Sequence, residues 1–116
     1  PLDGAVIVTT PQDIALIDAR KALRMFDKVG APVVGIVENM GTFVCPDCGS
    51  EHSIFGEGGG SATAEKYSVP FLGTIPLHRS VPPSGDRGEP IVAAEPDSAI
   101  AGRFREIARR LLADLG

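Results

Sequence analysis

Gly4-Ala5-Val6-Ile7-Val8-Thr9-Thr10-Pro11-Gln12-Asp13 decides the fold. Residues 4–9 are short, continuous and β-branched, the composition of a strand buried on both faces. Thr10 is placed to cap a helix, Pro11 suits a first helical position, and Asp13 sits where a capping box reaches back. Beyond it Ala15, Ala19, Ala22, Phe26 and Val29 recur at helical spacing as an inward stripe, with Arg20, Arg24, Asp27 and Lys28 away from it. Gly30 ends that helix. A second buried strand, Pro32-Val33-Val34-Gly35-Ile36-Val37, runs into Glu38-Asn39-Met40. Strand, helix, strand is the unit of a parallel sheet with crossover helices.

The same alternation continues. A short helix capped by Ser61 and reaching Tyr67 precedes a third strand, Phe71-Leu72-Gly73-Thr74-Ile75, closed by Pro76. Residues 78–90, rich in Pro, Gly and charge, read as a surface loop. Pro96-Asp97 opens a last helix with Ile100, Phe104, Ile107, Leu111 and Leu115 inward, and the Glu106 to Arg110 spacing supports it. The expected architecture is α/β: three layers, a mainly parallel three-stranded sheet and flanking helices. Residues 1–116 form one partial domain, because three strands leave two edges needing cover. The Ala5 to Thr9 strand should be one of those edges, paired with another chain or masked by a rearranged terminus. The chain opens at Pro1 almost directly on a strand, so preceding sequence is expected to have been removed.

Between the second and third strands lies Cys45-Pro46-Asp47-Cys48-Gly49, holding the only two cysteines. A Cys-x-x-Cys turn aims two thiolates at one metal or cluster, yet soft sites usually take four protein ligands. The chain therefore supplies half a site, and a second copy is the simplest source of the rest. A thioredoxin-like pair would need a helix after the first cysteine, and Gly49-Ser50-Glu51-His52 has no helical periodicity. A zinc knuckle, with His52 as a third ligand, and a cluster shared by two subunits satisfy the spacing equally. Two unliganded thiols remain the plain alternative. His52 and His78 read as ordinary surface histidines. The run Gly56-Glu57-Gly58-Gly59-Gly60 lacks the Gly-Lys-Ser/Thr ending of a phosphate loop, and so reads as a flexible connection or a place of close backbone packing. Asn39 stands at the carboxyl end of a strand, where open α/β sheets bind ligands, and its amide can read a nucleobase.

The bulk numbers narrow the classes. Eleven basic against fifteen acidic residues give a net charge of -4, which argues against nucleic acid as a main partner. No apolar run approaches the ~20 residues of a membrane span and no basic-then-apolar leader opens the chain, so no membrane role and a cytoplasmic location are expected.

Taken together, residues 4–12, Gly35-Ile36-Val37-Glu38-Asn39-Met40, Cys45-Pro46-Asp47-Cys48-Gly49, Ile54-Phe55-Gly56, residues 69–77 and residues 85–92 resemble the Mrp/ApbC family of P-loop ATPases. These are iron–sulfur cluster carriers related to MinD and the nitrogenase iron protein. The resemblance covers nearly the whole chain, but only the carboxyl-terminal half of that SIMIBI-type P-loop NTPase fold. The family's phosphate loop and switch aspartates are not among these residues. The resemblance implies that Cys45 and Cys48 meet their twins across a two-fold axis to bridge a [4Fe–4S] cluster in a homodimer. It implies that Asn39 reads adenine and that Pro76 and Leu77 close over the base. In the full-length protein it implies ATP with Mg²⁺ and delivery to apo iron–sulfur proteins, while this part alone is expected to be inactive as an ATPase. His78 stands where the family commonly has Asp, and Val81-Pro82 where it often has Ile-Arg. The rival from another class is a zinc-knuckle interaction module without enzymatic activity.

Overall fold

The computed structural model describes residues 2–115. Nine elements follow in order: β1 (Ala5–Thr9), α1 (Asp13–Lys28), β2 (Val33–Val44), β3 (Glu51–His52), α2 (Gly59–Lys66), β4 (Phe71–Leu77), α3 (Val81–Asp86), α4 (Ile91–Ala94) and α5 (Ala99–Leu115). β2 is the centre of the sheet. β1 pairs with it in parallel, with Ile7 opposite Ile36 and Val8 opposite Val37. β4 pairs with it in parallel as well, with Glu38 opposite Thr74 and Asn39 opposite Ile75. The two-residue β3 runs antiparallel to the far end of β2.

Adjacent β2 residues feed opposite cores, as the period of two requires. Ile36 packs with Ile7, Ala19, Leu23 and Ala64 beneath α1 and α2. Val37 packs with Leu72, Ile75, Ile91 and Ile100 on the side of α5. Two apolar layers on one sheet make the expected three-layer α/β architecture.

Several local expectations are corrected. The N-cap of α1 is Gln12, without a side-chain bond, while the Thr10 hydroxyl donates to Gln12 Oε1. Its most buried residues are Leu16, Ala19 and Leu23, and Val29 is exposed, because the helix turns its leucine face onto β1 and β2. α2 begins at Gly59, before Ser61. α5 begins at Ala99, capped by Ser98 Oγ, which accepts the Ala101 N–H at 3.2 Å; Leu115 lies past its packed stripe. Residues 78–90 are not only loop. Pro82 and Pro83 open α3, since the first helical turn needs no proline N–H, and α4 follows.

β1 is an edge strand, as expected, but it is buried on one face only. Ile7 and Thr9 face α1, whereas Val6 and Val8 are 39% and 63% exposed. α5 packs mainly against β4 and also against β2. Leu2, the first of the described residues, is itself exposed. At the opposite edge, the carbonyls of Leu72 and Thr74 in β4 accept from Arg110 and Arg103 of α5 at 3.1 and 3.4 Å. Those guanidinium groups blunt β4 as a template for another strand.

β2 extends seven residues beyond Val37, through a break at Met40, whose φ is 55°. That left-handed residue and the following Gly41 shift the register against β4 between Asn39 and Phe43. A Cβ on Gly41 would collide with Thr74 Oγ1 and stand 2.7 Å from Glu38 Oε1. Gly41→Ala is expected to cost about 2 kcal/mol through overpacking, measured as a lowered urea midpoint at unchanged slope.

Candidate functional site

The cysteine hairpin is built on this extension of β2. Phe43 pairs with His52 and Val44 with Glu51, and the Cys45 N–H donates to Ser50 O at 2.9 Å. The Gly49 N–H returns to Cys45 O at 2.9 Å, with Gly49 at φ +76°, a value that suits glycine. The five residues from Cys45 to Gly49 thus form a closed turn at the tip of two strands. Both thiols are free; Cys45 is half-buried and Cys48 exposed.

The base of the hairpin is fastened to the body. Arg103 of α5 places one terminal nitrogen 2.9 Å from both oxygens of Glu51, and Glu51 also accepts from Thr42 Oγ1 at 2.9 Å. The tip has its own bonds. Cys48 Sγ lies 2.9 Å from Ser50 Oγ, which lies 3.0 Å from His52 Nε2. The Ser50 hydroxyl first, then the Ser50 backbone and the Cys45 thiol, hold the Cys48 thiol below its ordinary range. A lowered thiol gives up its proton more readily, and the thiolate is the form that ligates soft metals. The chemistry of the pair therefore fits a thiophilic metal or cluster. Among the described residues, no group of three or more His, Cys, Asp or Glu side chains is gathered as a metal site. His52 meets Ser50 rather than completing a three-ligand knuckle with the sulfurs.

Asn39 is exposed at the carboxyl end of the parallel part of β2, and its Oδ1 accepts the Met40 N–H at 3.0 Å. It lines a groove of about 400 Å³ with Thr9, Thr10, Ala15 and Asp18. Pro76 is buried and lines a different cavity of about 170 Å³, beside Gly49, Glu51, His78 and Arg103. Leu77 pairs with Phe43. Asn39 and Pro76 are therefore neighbours through the Asn39–Ile75 pair, yet they do not line one cavity. The smaller cavity joins the end of β4 to the cysteine turn.

Sequence reasoning overlooked Glu38. It is 6% exposed; its Oε2 accepts the Gly60 N–H at 2.9 Å and its Oε1 accepts from Thr74 Oγ1 at 3.2 Å. A Cβ on Gly60 would stand 3.0 Å from that carboxylate and 3.2 Å from Phe71, so the glycine run serves close backbone packing. A carboxylate inside an apolar strand run was the available signal.

Comparison with known proteins follows this geometry. The family of NUBPL iron-transfer P-loop NTPases, within ParA, matches residues 1–112. An iron–sulfur cluster carrier protein of Salmonella typhimurium is 52% identical over 115 residues, covering 99% of this chain and 31% of the relative. The chain thus spans about a third of that relative's length. Among solved structures, the cell division ATPase MinD of Pyrococcus furiosus superposes with a TM-score of 0.73 at 25% identity, over 96% of this chain and 43% of MinD. A nucleotide-binding protein of Archaeoglobus fulgidus, in complex with ADP, gives 0.68 at 37% identity, over 88% of this chain and 41% of its own.

Proposed function

Because the chain belongs to the NUBPL iron-transfer family of P-loop NTPases, we propose that it is the cluster-holding part of an ATP-dependent iron–sulfur cluster carrier. Cys45 and Cys48 hold the cargo, and the observation that carries this is the closed turn that presents two free thiols without a third ligand. Two such turns on a homodimer supply the four thiolates of a bridging [4Fe–4S] cluster. Exposure of Cys48 suits a cargo that must leave again for an apo iron–sulfur protein.

The rest of the reading concerns control. Asn39, Pro76 and Leu77 form the adenine side of a nucleotide site whose phosphate and Mg²⁺ groups belong to the remainder of the longer protein. Asn39 Oδ1 is engaged by the Met40 N–H, which leaves its amide hydrogens to donate to a base. The short path from Asn39 through Met40 and Gly41 to the cysteine turn runs along the second half of β2, which ends at Val44. A shift at the base-reading end therefore moves the thiols as well. No helix among the described residues is long and apolar enough to cross a membrane, and the setting proposed is cytoplasmic. No Gly-Lys-Ser/Thr occurs in these residues, so ATP turnover is assigned to the whole protein rather than to this part.

Anaerobic reconstitution with ferrous iron and sulfide tests the reading. The expected product is a brown dimer carrying about four iron and about four labile sulfide per two chains. About one zinc per two chains without labile sulfide would overturn it in favour of a zinc-knuckle interaction module.

A further inference from the structure

The two cysteines are not equivalent. Among the described residues, no hydroxyl or imidazole meets the Cys45 sulfur, whereas Cys48 Sγ has Ser50 Oγ at 2.9 Å and, behind it, His52 Nε2 at 3.0 Å from that hydroxyl. The direction of this chain is fixed once Cys48 ligates a metal. A ligating sulfur is a thiolate and can only accept. Ser50 has a single hydroxyl hydrogen, so it must donate it to the sulfur. Its oxygen then accepts from His52, whose Nε2 carries the hydrogen.

The geometry points to Ser50 and His52 as an outer shell of Cys48 alone, two positioning residues that weaken one of the two cysteine–metal bonds and mark it for release. The inference rests on reading Cys45 and Cys48 as the metal-ligating pair. A hydrogen bond to a thiolate draws electron density from the sulfur lone pairs and makes it a poorer donor. Hydrogen bonds to sulfur and partners behind the ligands are established levers on metal sites. Here the lever acts on the exposed sulfur, where an incoming acceptor thiolate has access. Cys45, half-buried at the strand end and tied to Ser50 and Gly49 through its backbone, is the sulfur that stays. The asymmetry gives hand-over an order, with Cys48 displaced first and Cys45 last.

Cobalt(II), added to the reduced chain at one ion per two chains, is the probe, because thiolate-to-cobalt charge transfer reports sulfur donor strength directly. In Ser50→Ala the band is expected to move to longer wavelength, and EDTA should strip the ion about 10-fold more slowly. Ser50→Thr, which keeps the hydroxyl, should restore both. His52→Ala should move both in the same direction by less. Both positions are solvent-facing, so thermal midpoints should agree, which separates the effect from loss of fold. If Ser50→Ala matches the unsubstituted chain in band and stripping rate while Cys48→Ala has lost the band, the outer-shell role is wrong and the cysteine reading stands. Faster stripping in Ser50→Ala also overturns the release role. No thiolate band in the unsubstituted chain overturns the cysteine reading, and this inference with it.

Discussion

Alanine at either Cys45 or Cys48 is expected to abolish cluster uptake, not to halve it. A bridging cluster takes four thiolates, and each chain supplies two. A dimer of either single variant would present two, one from each chain, half of what the cluster needs. No substitute is at hand, because no third His, Cys, Asp or Glu side chain is gathered with the pair among the described residues. His52 of β3 is committed to Ser50. Stability should hardly change in Cys48→Ala, since Cys48 is exposed and surface substitutions usually stay within about 0.5 kcal/mol. Iron and sulfide analysis after anaerobic reconstitution, beside urea unfolding of the same samples, checks both halves. Uptake of iron by Cys48→Ala equal to that of the unsubstituted chain would falsify the cluster reading.

Much of this was legible in the residues. Apolar runs bounded by caps, glycine and proline give β1, α1 and the first half of β2, because each is set by local composition and burial. The cysteine pair was legible because its spacing alone restricts its chemistry. What the residues hid depends on contacts distant in sequence. The bare side of β1 follows from where α5 crosses, so Val6 and Val8 look like core residues until the helix is placed. The far half of β2 continues through a left-handed Met40, a conformation no propensity favours for methionine. Arg103 and Glu51 stand 52 positions apart, and nothing in either segment announces the pair that fastens the hairpin. The residues proposed for the adenine side were drawn together by resemblance, and the strands place Asn39 and Pro76 on neighbouring but separate cavities.

Glu38→Ala is expected to destabilise the chain by about 3 kcal/mol, a large share of the roughly 5–15 kcal/mol that holds a typical domain. Three elements meet at this side chain. α2 begins after Gly58, which has no side chain to cap it, and Glu38 reaches across from β2 to accept the Gly60 N–H. A carboxylate there does the work of an N-cap and meets the positive end of the helix dipole. Its other oxygen accepts from Thr74 on β4, and Gly41 is small so that this contact can close. Alanine would strand the Gly60 N–H and leave a void beside Phe71, two costs of about 1–3 kcal/mol each that overlap. Glutamine tests geometry against charge. Its carbonyl can still accept from Gly60, and Thr74, which also lies 3.2 Å from Glu38 O, can donate there and accept the new amide hydrogen. Glu38→Gln should therefore cost about 1 kcal/mol, whereas Glu38→Asp, one methylene short of Gly60, should fall nearer to alanine. Urea unfolding ranks the three, and hydrogen exchange at the Gly60 amide gives the local readout. If that amide exchanges no faster in Glu38→Ala, the buried carboxylate is not what holds the start of α2 to the strand that carries the cysteines.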